Sequence, residues 1–419
     1  MTGNLTDTNI LESNSTKGYR AAFALMTSLF FMWGAIVSLN DVLIPHFKDV
    51  FNMNYTQAML IQFCYFGAYF IMAVPASMVV QRIGYKNGIV VGLAIIGIGG
   101  LTFIPAASLI SYPLFLFGLF VMASGSVLLQ VVCNPYVIIL GAPEGASSRL
   151  NLAQGVNSLG TTLAPLIGSY LILGEFESDA EAVATVRGPY IGFALFAFLV
   201  AVIFYLAKLP AIKGDEKDKD EKVEGNVLGF RQLRLGVIAL TLYVGAEVTI
   251  GSFIVSFLGE SYIAGLSTED AAKYIPLYWG SLMIGRFVGS AILQKISANK
   301  VLAYAAGVAT LFMVVTMFAS GAVAMWAMLL AGFCNAIMWA NIFAMSIKGL
   351  GKYTIKASGI LVMAPVGGAI LPMFQGMLAD SFAGLQISFV LPMLCYAFIL
   401  YYAVSGYKPG KNEPALLEE

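Results

Sequence analysis

Apolar runs of about 20 residues, the length that carries a helix across roughly 30 Å of hydrocarbon, recur twelve times along this chain of 419 residues. They cover approximately 21–46, 56–80, 88–108, 113–140, 150–173, 189–208, 233–258, 274–293, 300–319, 322–347, 356–379 and 384–405. A backbone inside a bilayer must satisfy its own hydrogen bonds, so only helices and closed barrels span it, and barrel strands read as alternating segments of about ten residues. The unbroken runs predict an all-α integral membrane protein with twelve transmembrane helices. Charged residues make up 11% of the chain, against about 25% in soluble domains, which excludes a water-soluble globular fold.

Orientation follows from lysine and arginine. With an inner N-terminus, three of the 23 basic residues fall in outer loops (Lys48, Arg187 and Lys273), Arg286 lies within span 8, and the other 19 are on the inner side. Positive charge stays cytoplasmic, so both termini are expected inside, in the cell's inner membrane. Residues 1–20 and 407–419 read as cytoplasmic tails. The first nineteen residues lack the basic, apolar and cleavage regions of a signal peptide. The four cysteines, Cys64, Cys133, Cys334 and Cys395, lie at wide spacing inside spans and form no disulfide or zinc pattern.

The charged stretch LPAIKGDEKDKDEKVEGN at 209–226 divides the chain into an N-terminal six-helix bundle, 21–208, and a C-terminal one, 233–406, joined by a cytoplasmic linker over 209–232. The halves resemble each other. YFGAYFIMAVPASMVVQRI at 65–83 aligns without gaps on YWGSLMIGRFVGSAILQKI at 278–296, WGAIVSL on VGAEVTI, and Asn134 on Asn341. An even number of spans per half makes the repeats parallel, the layout of a transporter whose site lies near the bilayer midplane.

Acidic residues inside spans locate that site, because an unpaired carboxylate in hydrocarbon costs several kcal/mol. Asp41 in span 1 and Glu247 in span 7, equivalent spans of the two repeats, are the acids well inside, and both are expected to face one central cavity. Each has a structural alternative. Asp41 would serve as an outer-end charge paired with Lys48, and Glu247 as the partner of Arg286 in span 8.

Amides and aromatic side chains complete the expected substrate site: Asn40, Gln62, Gln130, Asn134, Gln154, Asn157, Asn335, Asn341 and Gln375, with Trp279 and Trp339. Gln130 and Asn134 stand four apart on one helix face, and Pro135 loosens the backbone beyond them. Gln154, Asn157 and Thr161 stripe span 5. Amides donate to and accept from hydroxyls, and aromatic faces cover C–H surfaces, so this set suits a neutral, hydroxyl-rich solute. Interhelical glue is the alternative for any single amide.

The segments FFMWGAIVSLNDVLIPHFK, CNPYVIILG, LAQGVNSLG and YVGAEVTIGSFIV resemble those of the fucose–proton symporter and glucose/galactose porter family within the major facilitator superfamily, through most of the chain. QRIGYKN after span 2 is a degraded form of the superfamily's inner basic motif, with Gln81 in place of an acid. The resemblance implies secondary active import of a hexose or 6-deoxyhexose, with Asp41 matching an aspartate tied to coupling and sugar binding. Proton-coupled fucose carriers have a glutamate shortly before CNPY, where this chain has Gln130. Gln130 and Glu247 instead resemble the sodium-dependent glucose/galactose branch, implying a sodium ion held by Asp41, Gln130 and Glu247. A proton loaded on Asp41 or Glu247 is the alternative.

The expected cycle rocks the two bundles, with Arg82, Lys86 and Lys295 in an inner-side latch. Expected partners are a monosaccharide and the lipid bilayer, with no cofactor beyond the co-transported ion, no nucleic acid, and a monomeric state. An enzyme would need a nucleophile, metal cluster or acid pair, and the one histidine, His46, sits at the outer end of span 1. A transporter-like sensor would need a signalling domain, and a drug exporter a more apolar pocket.

Overall fold

The structure is a computed structural model. It describes Tyr19, residues 21–36, Ser38, Phe47, Phe51, Met53, 60–172, 184–207, Leu209, 227–380 and 384–410, with side chains left aside at Gln62, 165–166, 168–172 and Glu269. Asn40 and Asp41 lie outside the described residues, as does the side chain of Gln62. So does most of the charged linker.

The described chain is helical throughout. In order come α1 (Ala21–Ile36), α2 (Leu60–Leu101), α3 (Tyr112–Ile139), α4 (Ala146–Ile172) and α5 (Arg187–Leu206). After the linker follow α6 (Arg231–Gly259), α7 (Ile275–Ile292), α8 (Ala298–Phe318), α9 (Gly321–Asn335), α10 (Met338–Ile347), α11 (Thr354–Leu361), α12 (Gly367–Ala379) and α13 (Val390–Tyr401). Among the described residues, eight helical stretches are long and apolar enough to cross a membrane. Spans 5 and 8, which became α4 and α7, are not among the eight. They carry Asn151, Gln154, Asn157, Thr161 and Thr162, and Ser281, Arg286 and Ser290, whose polarity lowers the mean hydropathy of these two helices.

Three boundaries depart from the run-length reading. Spans 2 and 3 run together as α2, bent at Gly84, whose φ of 80° and ψ of 171° no helix continues through; glycine takes that conformation without a Cβ clash. Span 10 breaks between Asn335 and Met338, and span 11 between Leu361 and Gly367. Pro365 lies in that second break, where it supplies no backbone N–H to a helix. Hydropathy is blind to such breaks, because the residues around them stay apolar.

The described residues group into two compact units. One holds those up to Tyr65 with Ala76–Ala146 and Val156–Lys222; the other holds Phe66–Pro75, Ser147–Gly155 and those from Val223 onward. The division assigns the first turns of α4 to the second unit.

In the first unit, Phe103 and Tyr190 stack at 3.9 Å between centroids, and Phe47 packs on Phe115 at 4.5 Å. Helices α1 and α4 touch backbone to backbone. A Cβ at Gly34 would collide with the Asn157 carbonyl oxygen, and one at Gly160 with that of Phe31. Asn157 Nδ2 donates to the Phe30 carbonyl oxygen at 2.8 Å, and Ser38 Oγ to that of Thr161 at 2.6 Å. Small residues and side-chain hydrogen bonds hold membrane helices this way because hydrocarbon gives apolar side chains no preference for one another.

In the second unit, α6 is the central element, touching α7 and α9 to α13. Residues Tyr243 to Glu247 are all buried. Outer faces remain apolar and open: Leu195, Leu199, Tyr304 and Phe318 are all more than half exposed, as lipid-facing positions are. Between α6 and α7 the short helix Thr268–Ala272 is capped by Ser267. There Lys273 and Ser267 hold the Asp270 carboxyl below the usual carboxylate range.

Candidate functional site

Glu247 stands sixteen residues beyond the start of α6, roughly 24 Å of helical rise from that end. One turn earlier on the same face, Tyr243 donates its hydroxyl hydrogen to Glu247 Oε1 at 2.8 Å. From α7, Tyr278 donates to the backbone carbonyl oxygen of Glu247 at 3.0 Å. Asn335, at the end of α9, donates from Nδ2 to the Tyr278 hydroxyl at 2.9 Å. Tyr243, Tyr278 and Asn335 are at most 1% exposed, whereas Glu247 keeps 9%. Sequence reasoning assigned no role to Tyr243 or Tyr278. The four-residue spacing to Glu247 is the signal that marks the first, and Tyr278 is the shared tyrosine of the repeat alignment.

The positive charge of Arg286 on α7 acts on Glu247 electrostatically. Arg286 also donates from Nη1 to the Gln154 carbonyl oxygen at 3.3 Å. Below it, Ser148 and Ser290 clasp reciprocally: Ser148 Oγ donates to the Ser290 carbonyl at 2.7 Å and Ser290 Oγ to that of Ser148 at 3.0 Å. Asn151 Nδ2 donates to Asn341 Oδ1 at 3.1 Å. These serines and Asn151 were also missed, since hydroxyls and amides near helix ends carry no distinctive pattern.

The other expected site residues separate into held and unheld groups. Asn341 is bound to Asn151, and Asn335 to Tyr278. Asn157 donates to the Phe30 carbonyl oxygen of α1 and groups with the first unit, and Gln154 groups with the second. Gln130 and Gln154 are buried. Among the described residues, Gln375 on α12 is fully buried with neither amide atom hydrogen-bonded, Trp339 Nε1 has no partner, and in the first unit the same holds for both amide atoms of Asn134. Buried polar groups without partners are rare. Trp339 lies against Phe343, 6.3 Å between centroids, and Trp279 packs edge-on to Tyr278 at 5.3 Å while 44% exposed. Arg82 and Lys295 are exposed, and Lys86 sits 6.0 Å from the Tyr205 ring.

The four cysteines are free, and among the described residues no cluster of three or more histidine, cysteine or acidic side chains could hold a metal. One carboxylate, tied on one side by a tyrosine hydroxyl, can exchange a proton or offer oxygen to a hard cation such as sodium.

Comparison with known proteins gives this arrangement its context. A glucose/galactose transporter of Brucella abortus biovar 1 (strain 9-941) is 50% identical over 400 residues, covering 95% of this chain and 97% of the relative. The L-fucose-proton symporter of Escherichia coli (strain K12) is 32% identical over 94% of each chain. The crystal structure of FucP, a major facilitator transporter in the outward conformation, superposes with a TM-score of 0.85 at 33% identity, covering 92% of this chain and 98% of that one. These relatives are transporters and not enzymes. The family model described as Major Facilitator Superfamily matches residues 21–364, and the chain belongs to that superfamily.

Proposed function

We propose that this protein imports a neutral monosaccharide of the glucose, galactose or mannose type by alternating access, driven by sodium. The observation that carries the reading is Glu247, a carboxylate kept inside a membrane helix with one oxygen held by Tyr243. A facilitator needs no such group. The substrate class is supported by relatives named glucose/galactose transporters, 50% and 40% identical over more than nine-tenths of this chain, and by an amide-rich interior suited to hydroxyls. Asp41, Gln130 and Glu247 supply oxygens to the cation. Asn40, Gln62, Asn134, Gln154, Asn157, Asn335, Asn341 and Gln375, with Trp279 and Trp339, serve the sugar. Arg82, Lys86 and Lys295 belong to an inner-side latch, in a monomer with both termini cytoplasmic.

Proton coupling is the second reading, favoured by the 32% identical relative named an L-fucose-proton symporter. Gln130 weighs against it, because an amide cannot take up the proton that the glutamate before CNPY would carry in proton-coupled carriers. Labelled glucose uptake into proteoliposomes, with sodium and proton gradients imposed separately and unlabelled galactose, mannose and fucose as competitors, separates the two. We expect sodium alone to drive accumulation and the first two sugars to compete. Accumulation driven by a proton gradient alone would assign the second reading, and no accumulation under either would end both.

A further inference from the structure

Glu247 is fixed at two points, and the fixing is unequal between its two carboxylate oxygens. Oε1 accepts the Tyr243 hydroxyl at 2.8 Å. No hydrogen bond to Oε2 comes from the described residues, and Glu247 keeps 9% exposure. The backbone is pinned at the same residue. Tyr278 donates to the Glu247 carbonyl oxygen, and because the amide nitrogen of Asn335 can only donate, it fixes the direction of the Tyr278 hydroxyl. Neither tyrosine has water to turn to, since Tyr243 is 1% exposed and Tyr278 fully buried.

We propose that Tyr243 and Tyr278 are positioning residues of the cation site, tying down Oε1 and the helix backbone so that Oε2 alone is presented to the transported cation. The proposal rests on the reading that Glu247 binds that cation. Groups that orient a metal's ligands characteristically change its affinity by tenfold to a hundredfold when removed, because an untethered carboxylate must be ordered at the moment of binding. A purely structural pair of tyrosines would behave differently. Its loss would weaken the fold, and with it cation affinity, sugar affinity and turnover together.

The test is a sodium titration of labelled glucose uptake at fixed pH, using the full-length protein in proteoliposomes. Tyr243→Phe removes one hydroxyl and leaves the ring in place. We expect the half-saturating sodium concentration to rise about tenfold, while the glucose KM at saturating sodium moves by less than about twofold. Tyr278→Phe should shift the sodium dependence in the same direction, and it decides the matter if Tyr243→Phe does not fold. An unchanged sodium dependence in the folded variant, or a parallel change in sodium and glucose constants, would overturn the positioning role. Glu247→Gln is the separating arm. If it leaves sodium dependence intact, the reading of Glu247 is what has failed; if it abolishes that dependence while both tyrosine variants behave as wild type, only the positioning role has failed.

Discussion

Glu247→Gln is expected to abolish concentrative uptake, lowering the accumulation ratio from roughly fortyfold to about one. The upper figure follows from one charge moving through 100 mV, worth about 2.3 kcal/mol, at about 1.4 kcal/mol for each tenfold. The substitution isolates the charge. Glutamine has nearly the same volume and its amide oxygen still accepts from Tyr243, so the local hydrogen bond of α6 survives. What is lost is the site's capacity to take up a proton or to balance a bound cation's charge. Arg286 then keeps its bond to the Gln154 carbonyl, which gives the variant a route to a folded state. Accumulation ratios in proteoliposomes under an imposed cation gradient check this, with the amount of folded protein quantified in each preparation.

The largest effect on stability is expected at the crossing of α1 and α4. In Gly34→Leu the new side chain would meet the carbonyl oxygen and amide nitrogen of Asn157. Both are locked, the first in the α4 backbone and the second by its bond to Phe30. Neither can swing aside as the end of a flexible side chain would. The helices must separate, which also breaks the Asn157 hydrogen bond, and overpacking against rigid partners costs about 3 kcal/mol or more. Gly192→Leu on α5 is the control, since nothing lies within 4 Å of the added Cβ there. Temperature-dependent loss of monodisperse protein in detergent should separate the two variants clearly. Equal stability would mean that the α1–α4 contact is not tight.

What the sequence made legible was the solvent of the fold and the buried carboxylate on which the proposed coupling rests. A bilayer imposes run length on every span, so the runs predicted the helices, and an isolated carboxylate in one of them stood out as Glu247. The companions of Glu247 were harder to read. Tyrosine is common in membrane helices, and Tyr278 reaches Glu247 from 31 positions away, a contact that depends on how α7 packs against α6. Opposite charges in neighbouring spans suggested a pair with Arg286, whereas the tyrosine one turn from Glu247 that serves the carboxylate carried no charge to draw notice. Helix breaks at Asn335–Met338 and Leu361–Gly367 leave no trace in hydropathy, although Pro365 marked the second.

The amides divide in a way that composition could not foresee. Asn157 donates to the Phe30 carbonyl oxygen, and Asn341 is engaged by Asn151. Asn134 and Gln375 are fully buried and unsatisfied. Whether an interhelical amide finds a partner depends on crossing angles and register, which a pattern of apolar and polar letters does not encode.

Radioactive sodium entry into proteoliposomes, measured with and without external glucose at zero membrane potential, tests the role of Glu247 most directly. The wild-type protein should show sodium entry that glucose stimulates and Glu247→Gln should show none. Glucose-stimulated sodium entry persisting undiminished in the variant would place the driving cation elsewhere.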